Sequence, residues 1–277
     1  MLYLVATPIG NLEDVTFRAV RVLGDVAIIA AEDTRRAAKL LRHYRIQTPT
    51  LSFHSHNEMQ RTPKLISMLE QGKSVALVTD AGTPLLSDPG RGLVKDALAC
   101  GIKVQPIPGA SAILSGLIAS GLTADQFTFA GFPPNRSQAR KLWLKSLAGE
   151  KRPVVLFEAP HRIVGSLRDM LEVLGDREVA ICRELTKIHE ELVNGPISSI
   201  LSRPLTTKGE FTVVVTPELI TRKTPTEQEI VAEFGRLANT CRSRREAVAL
   251  VAKNNGLSAQ IIYGMLEDSK GSFGRTT

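Results

Sequence analysis

Four short segments of the chain combine glycine, proline and polar side chains in a way that suits ligand binding. They are Thr7-Pro8-Ile9-Gly10-Asn11, Ala31-Glu32-Asp33-Thr34-Arg35, the run 79–90 that begins Thr79-Asp80-Ala81-Gly82-Thr83-Pro84, and the run 106–112 that contains Pro108-Gly109-Ala110-Ser111-Ala112. Glycine lets main-chain amides and carbonyls come close to a flat or charged molecule, and proline keeps a loop stiff. A single loop of this kind is an ordinary turn. Four in succession point to one shared cleft. Proton acceptors are available in Glu32, Asp33, Asp80, His56, Glu184 and Glu210, and cations in Arg35, Arg162, Arg183, Lys187 and Lys208. Two readings of Glu32-Asp33 stand side by side. Adjacent carboxylates repel, which raises the pKa of one; or Asp33 caps the next helix while Glu32 pairs with an arginine.

Other familiar signatures fail on inspection. Gly72-Lys73-Ser74 resembles the end of a phosphate-binding loop, but Ser67 stands where the first glycine is required. Gly90-Arg91-Gly92 has Lys95 in place of the third glycine of a dinucleotide fingerprint. His54-Ser55-His56 has no acidic or cysteine partner at metal-ligating spacing, so no metal is expected.

The elements that position the four segments alternate. Apolar, β-branched runs at 2–6, 26–30, 74–79 and 102–106 read as strands, and patterns at 17–23, 34–44, 62–71 and 90–99 read as helices. Such alternation predicts an α/β layer on a largely parallel sheet. A small-residue helix follows at 110–120, then strands at 127–131, 154–157, 178–182, 191–194 and 210–216. The close spacing of the later strands predicts mixed or antiparallel pairing. Beyond residue 218 the pattern is helical. Thr226-Glu227-Gln228-Glu229 and Ser243-Arg244-Arg245-Glu246 fit capping boxes, and Gly256 with Ser258 marks one helix ending and another starting. The expected organisation is an α/β domain over 1–110, a second over 111–218, and a helix-turn-helix-like tail over 219–277.

The chain has 277 residues and a formal net charge of +7, a balance that favours a polyanionic partner. Basic residues gather at Arg35-Arg36-Lys39-Arg42-Arg45, at Arg136-Arg140-Lys141-Lys145 and at Arg242-Arg244-Arg245. The three cysteines form no paired motif, which suits free thiols in a reducing, cytoplasmic compartment. No apolar run is long enough to span a membrane.

The strand-end segments resemble the tetrapyrrole-methylase superfamily and, within it, the ribosomal RNA small-subunit methyltransferase I group, which methylates cytidine 2′-hydroxyls in 16S ribosomal RNA. The resemblance continues in Gly131-Phe132-Pro133-Pro134, Phe157-Glu158-Ala159-Pro160-His161-Arg162, Arg183-Glu184-Leu185-Thr186-Lys187 and Lys208-Gly209-Glu210-Phe211. It implies S-adenosylmethionine held between two α/β domains, a homodimer, and small-subunit ribosomal RNA or the assembled subunit as substrate. Carried over by position, the donor contacts are Pro8, Asp80, Gly82, Thr83, Leu85, Ser111, Ala112, Ala159 and Leu185. The group's Pro-x-Lys appears as Pro134-Asn135-Arg136, where arginine keeps the charge but changes the geometry. For proton and charge management the candidates are Glu32, Asp33, Arg35, Glu184, Lys208 and Glu210. For RNA contact they are Arg136, Arg162, Arg183, Lys187, Arg244 and Arg245. Two rivals remain at this stage: a methylase of small tetrapyrroles, and an RNA-binding or ribosome-assembly protein without catalysis.

Overall fold

The computed structural model describes residues 1–122, 125–217, 227–238, 241, 243–255 and 257–272. The chain forms two compact units, Met1–Glu218 and Leu219–Thr277.

The first unit holds two five-stranded sheets. Strands β1 (Leu2–Val5), β2 (Ile28–Ala31), β3 (Thr50–Ser52), β4 (Val75–Val78) and β5 (Val104–Ile107) are all parallel and run in the order β3-β2-β4-β1-β5. Parallel strands need crossovers, supplied by helices α1 (Phe17–Asp25), α2 (Thr34–His43), α3 (Glu58–Glu70) and α4 (Arg91–Ala99). Strand side chains alternate between the two faces. Val5, Ile29, Ala31, Ala76 and Val78 meet Val22 and Leu23 of α1 and Leu40 and Leu41 of α2. Leu2, Ala30, Val75 and Leu77 meet Leu65 and Leu69 of α3 and Leu93 and Ala97 of α4. Both faces are covered, as a parallel sheet requires.

Helix α5 (Ala112–Ala119) follows β5 in sequence but packs on the second sheet, with Ile113 and Leu117 against Val155, Ala180 and Val214. That sheet contains β6 (Thr128–Gly131), β7 (Val154–Glu158), β8 (Glu178–Arg183), β9 (Glu191–Pro196) and β10 (Phe211–Val215), in the order β6-β7-β10-β8-β9. Only β6 and β7 pair in parallel and the other pairs are antiparallel, so the sheet is mixed, one of the two arrangements that the spacing predicts. Its other face packs on α6 (Ser137–Leu147), α7 (Ile163–Leu174) and α8 (Ile197–Leu201) through Leu144, Leu167, Met170 and Ile200.

The second unit contains α9 (Glu227–Ala238), α10 (Arg244–Asn255) and α11 (Ala259–Ser272) around a core of Ile230, Val248, Val251, Ile262 and Leu266. The Ser243 hydroxyl accepts from the Glu246 amide at 3.2 Å, the hydroxyl half of the expected capping box, and the Ser258 hydroxyl accepts from the Ile261 amide at 3.3 Å where a helix start is expected. Thr226, Arg242 and Gly256 lie outside the described residues. Among the described residues, no helix is long and apolar enough to cross a membrane.

Candidate active site

In a parallel sheet, ligands collect beyond the carboxyl ends of the strands, where crossovers part to opposite sides. Here β1 lies between β4 and β5, and the loops after all three strands interlock. Thr7 and Gly82 exchange two main-chain hydrogen bonds of 2.9 and 3.0 Å, and the Thr7 hydroxyl donates to the Thr79 carbonyl at 3.1 Å. Gly82 has φ +81°, and a Cβ there would lie 3.3 Å from the Ile9 side chain. The Thr83 hydroxyl donates to the Ala110 carbonyl at 3.3 Å, which ties the loop after β4 to the start of α5. Leu85 and Ser87, at φ +75° and +73°, place two further residues of this loop in the left-handed region. Strain of this kind concentrates at functional sites.

These loops form one wall of a cavity of about 450 Å³. The opposite wall comes from the second sheet: Phe157 to Pro160 around the end of β7, Cys182 and Leu185 around the end of β8, and Glu210 to Thr212 at the start of β10. The walls also touch beyond the cavity. A Cβ at Gly10 would fall 2.8 Å from the Leu185 carbonyl, and the Asn11 amide donates to the Thr186 hydroxyl at 3.0 Å.

The floor is acidic. Glu32 accepts from the Thr79 hydroxyl at 2.8 Å, while Asp80 accepts from the Asp33 amide at 2.9 Å and pairs with Arg36 at 3.5 Å. Burial, and next the Glu32 charge, push the Asp80 carboxyl above its ordinary value. Asp88 is affected more. Burial raises it to about 6, the Thr79 hydroxyl pulls the other way, and the charges of Glu32 and Asp80 add to the rise.

The cavity brings together seven of the nine expected donor contacts: Asp80, Gly82, Thr83, Ser111, Ala112, Ala159 and Leu185. Pro8 lines a neighbouring cavity of about 150 Å³ together with Asp80 and Leu40. Leu85 packs into the core beside α4. Of the expected proton acceptors, Glu32, Asp80 and Glu210 line the cavity. Asp33 does not. It caps α2 by accepting from the Arg35 amide at 2.8 Å and pairs with the Arg35 side chain at 2.7 Å, which holds its carboxyl well below the usual range. The structure therefore gives Asp33 the capping role, and gives Glu32 a hydroxyl and an amide as partners instead of an arginine.

Several expected RNA contacts are engaged within the protein. Arg162 pairs with the buried Glu158 at 2.6 Å and donates to Asn135. Arg183 pairs with Glu191 at 2.7 Å. Lys187 bridges Glu184 at 2.8 Å and Glu210 at 3.1 Å. Burial works against the charge on Glu184, yet Lys187 and the Glu210 amide hold that carboxyl below its ordinary value. Arg136 and Lys208 are exposed in the first unit, and Arg244 and Arg245 in the second. Asp88, Glu158, Phe132 and Phe157 line the cavity although sequence reading did not select them. Each lay within a quoted motif, but nothing in the sequence separated it from its neighbours.

A family model described as Tetrapyrrole (Corrin/Porphyrin) Methylases matches residues 1–201. The chain belongs to the tetrapyrrole methylase family. Among its relatives, the ribosomal RNA small subunit methyltransferase I of Synechocystis is 44% identical over 95% of this chain and 96% of its own length. The protein of the same name from Halalkalibacterium halodurans is 44% identical over 95% and 93%. Solved structures share the fold at low identity. A uroporphyrin-III-C-methyltransferase from Thermus thermophilus is 20% identical with a TM-score of 0.57, covering 78% of this chain and 93% of its own. A diphthine synthase is 15% identical with a TM-score of 0.63, covering 78% and 89%.

Proposed function

We propose that this methylase transfers a methyl group from S-adenosylmethionine to the 2′-hydroxyl of a cytidine in small-subunit ribosomal RNA. The observation that carries the reading is the 44% identity to a ribosomal RNA small subunit methyltransferase I, over 95% of this chain and nearly all of that relative. The three free cysteines, with Cys100 exposed, suit a reducing compartment such as the cytoplasm.

The cavity fits the donor in size and chemistry. Its volume of about 450 Å³ lies within the range of small-molecule sites, and its walls are loops whose backbone is bare at Gly82. Asp80, Gly82, Thr83, Ser111, Ala112, Ala159 and Leu185 would hold the donor, and the acidic floor favours its positive charge. When bound, the donor supplies an electrophilic methyl carbon. The chain's own residues align the ribose oxygen and take its proton. Glu32 and Asp88 are the carboxylates that face the cavity beside Thr79, and Asp88, with its raised pKa of about 6, is the better matched to proton transfer near neutral pH.

The test uses labelled donor, small ribosomal subunits from cells lacking the gene, and a porphyrinoid as competitor substrate. A single 2′-O-methylated cytidine is expected on nucleoside mapping. Label on the porphyrinoid, or on neither, defeats the reading. Gly82→Val should abolish donor binding in calorimetry, because a β-branched side chain at φ +81° is strained by about 1–3 kcal/mol and points at Ile9.

A further inference from the structure

The acidic floor creates a problem for an RNA substrate. Glu32, Asp80 and Asp88 suit a cation, yet the phosphates on either side of a target ribose must approach the same cavity. Cations at the rim must offset that repulsion, and most candidates near the cavity are already neutralised. Arg162, Arg183 and Lys187 each face a carboxylate. In the cluster around α6, Arg140 pairs with Asp169 at 2.6 Å and Lys141 with Glu172 at 2.6 Å.

Helix α2 is different. Its sequence, Thr34-Arg35-Arg36-Ala37-Ala38-Lys39-Leu40-Leu41-Arg42-His43, contains no acidic residue. Arg35, Arg36, Lys39 and Arg42 are exposed, with Arg35, Lys39 and Arg42 on the side away from buried Leu40 and Leu41, and Arg45 just beyond the helix is exposed too. Spacings of three and four residues put Arg35, Lys39 and Arg42 on one face. Arg36, near the start of the helix, lines the cavity and pairs with Asp80. Arg35 is held by Asp33, whereas no ion pair engages Lys39, Arg42 or Arg45 among the described residues. Cations therefore run from Arg36 at the cavity mouth to Arg42, about 9 Å along the helix.

We infer that the exposed face of α2 is a docking surface for the phosphate backbone of the RNA strand flanking the target nucleotide. This rests on the RNA methyl-transfer reading above and adds the place where the strand lies. Lys39 and Arg42 act as phosphate contacts, separate from the donor site.

The test is methyl transfer by the full chain to small subunits from cells lacking the gene, measured over a range of salt concentrations. In the variant Lys39→Gln with Arg42→Gln, KM for the subunit should rise about tenfold or more. The salt dependence of log(kcat/KM) should flatten by roughly 0.7–0.9 per cation removed. Donor affinity by calorimetry should not change, which also reports that the variant is folded. The charge-keeping pair Lys39→Arg and Arg42→Lys should restore KM and salt slope. If the glutamine pair shows wild-type KM and salt slope, the inference is overturned while the functional reading stands. A wild-type chain that methylates no ribosomal RNA defeats the functional reading, and this inference with it.

Discussion

Asp88 sits where its ionised form is disfavoured. Its carboxyl is raised from 3.8 to about 6 by burial first and by the charges of Glu32 and Asp80 after that. A carboxyl that keeps its proton longer when folded contributes stability at low pH, and that contribution is lost as pH rises through about 6. Asp88→Asn removes the charge without changing the shape much. The variant should melt higher than wild type at pH 7.5 and level with it near pH 3.5, and methyl transfer should fall by about 100-fold or more. Wild type should lose activity as pH drops through about 6. A variant that melts lower at pH 7.5, or one that keeps full activity, would count against this role. None of this was visible in the chain as a string. Ser87-Asp88-Pro89-Gly90 reads as one polar turn among many, and the neighbours that shift Asp88 belong to segments that follow two strands, β2 and β4. The sequence made Glu32-Asp33 conspicuous by adjacency, but Arg35 takes Asp33 out of the cavity's chemistry.

Periodicity marks every strand but β3 and the helices α1 to α5, because each carries an apolar face matched to a layer, whereas α6, α7 and α8 go unmarked. Residues 28–31 and 75–78 are buried almost throughout, as central parallel strands should be, and were easily read. Strand β3, only three residues long at the sheet edge and partly exposed, offered no such signal. Charge was harder to read than apolarity. Arg136-Arg140-Lys141-Lys145 looked like one basic patch, yet Arg140 is an inward strut between α6 and α7. Its side chain is 7% exposed, and it bonds Asp169 at 10% and the carbonyls of Pro134 and Asn135. Removing one member of a buried pair leaves the other uncompensated. Arg140→Ala should therefore destabilise the first unit by about 3–5 kcal/mol, read as a lower denaturant midpoint. The double change Arg140→Met with Asp169→Leu should recover most of that loss. A single variant within about 0.5 kcal/mol of wild type would mean that Lys141, 3.9 Å from Asp169, or entering water compensates the carboxylate.

At the scale of the whole chain, the two compact units each have a core of their own. The hydrophobic clusters around the two sheets draw on described residues as far as Val215, and the helical unit has a core of its own from Ile230 to Leu266. Arg244 and Arg245 open α10 and are exposed, and the Arg244 guanidinium stands 6.0 Å from the centre of the Phe234 ring. Arginines at the start of a helix repel the positive end of its dipole. Their replacement should therefore not weaken the helix, and any change in RNA affinity then reports the missing guanidinium groups. Arg244→Ala with Arg245→Ala should leave donor affinity untouched in calorimetry, weaken RNA binding, and lower the salt slope by roughly 0.7–0.9 for each phosphate no longer neutralised. If the tail only packs, affinity and slope will both match wild type. Combining this pair with the α2 variant then reports how the load is shared. Losses that add in free energy mean two independent sets of phosphate contacts, while a combined loss no greater than the α2 variant's own leaves the helical unit without a part in holding RNA.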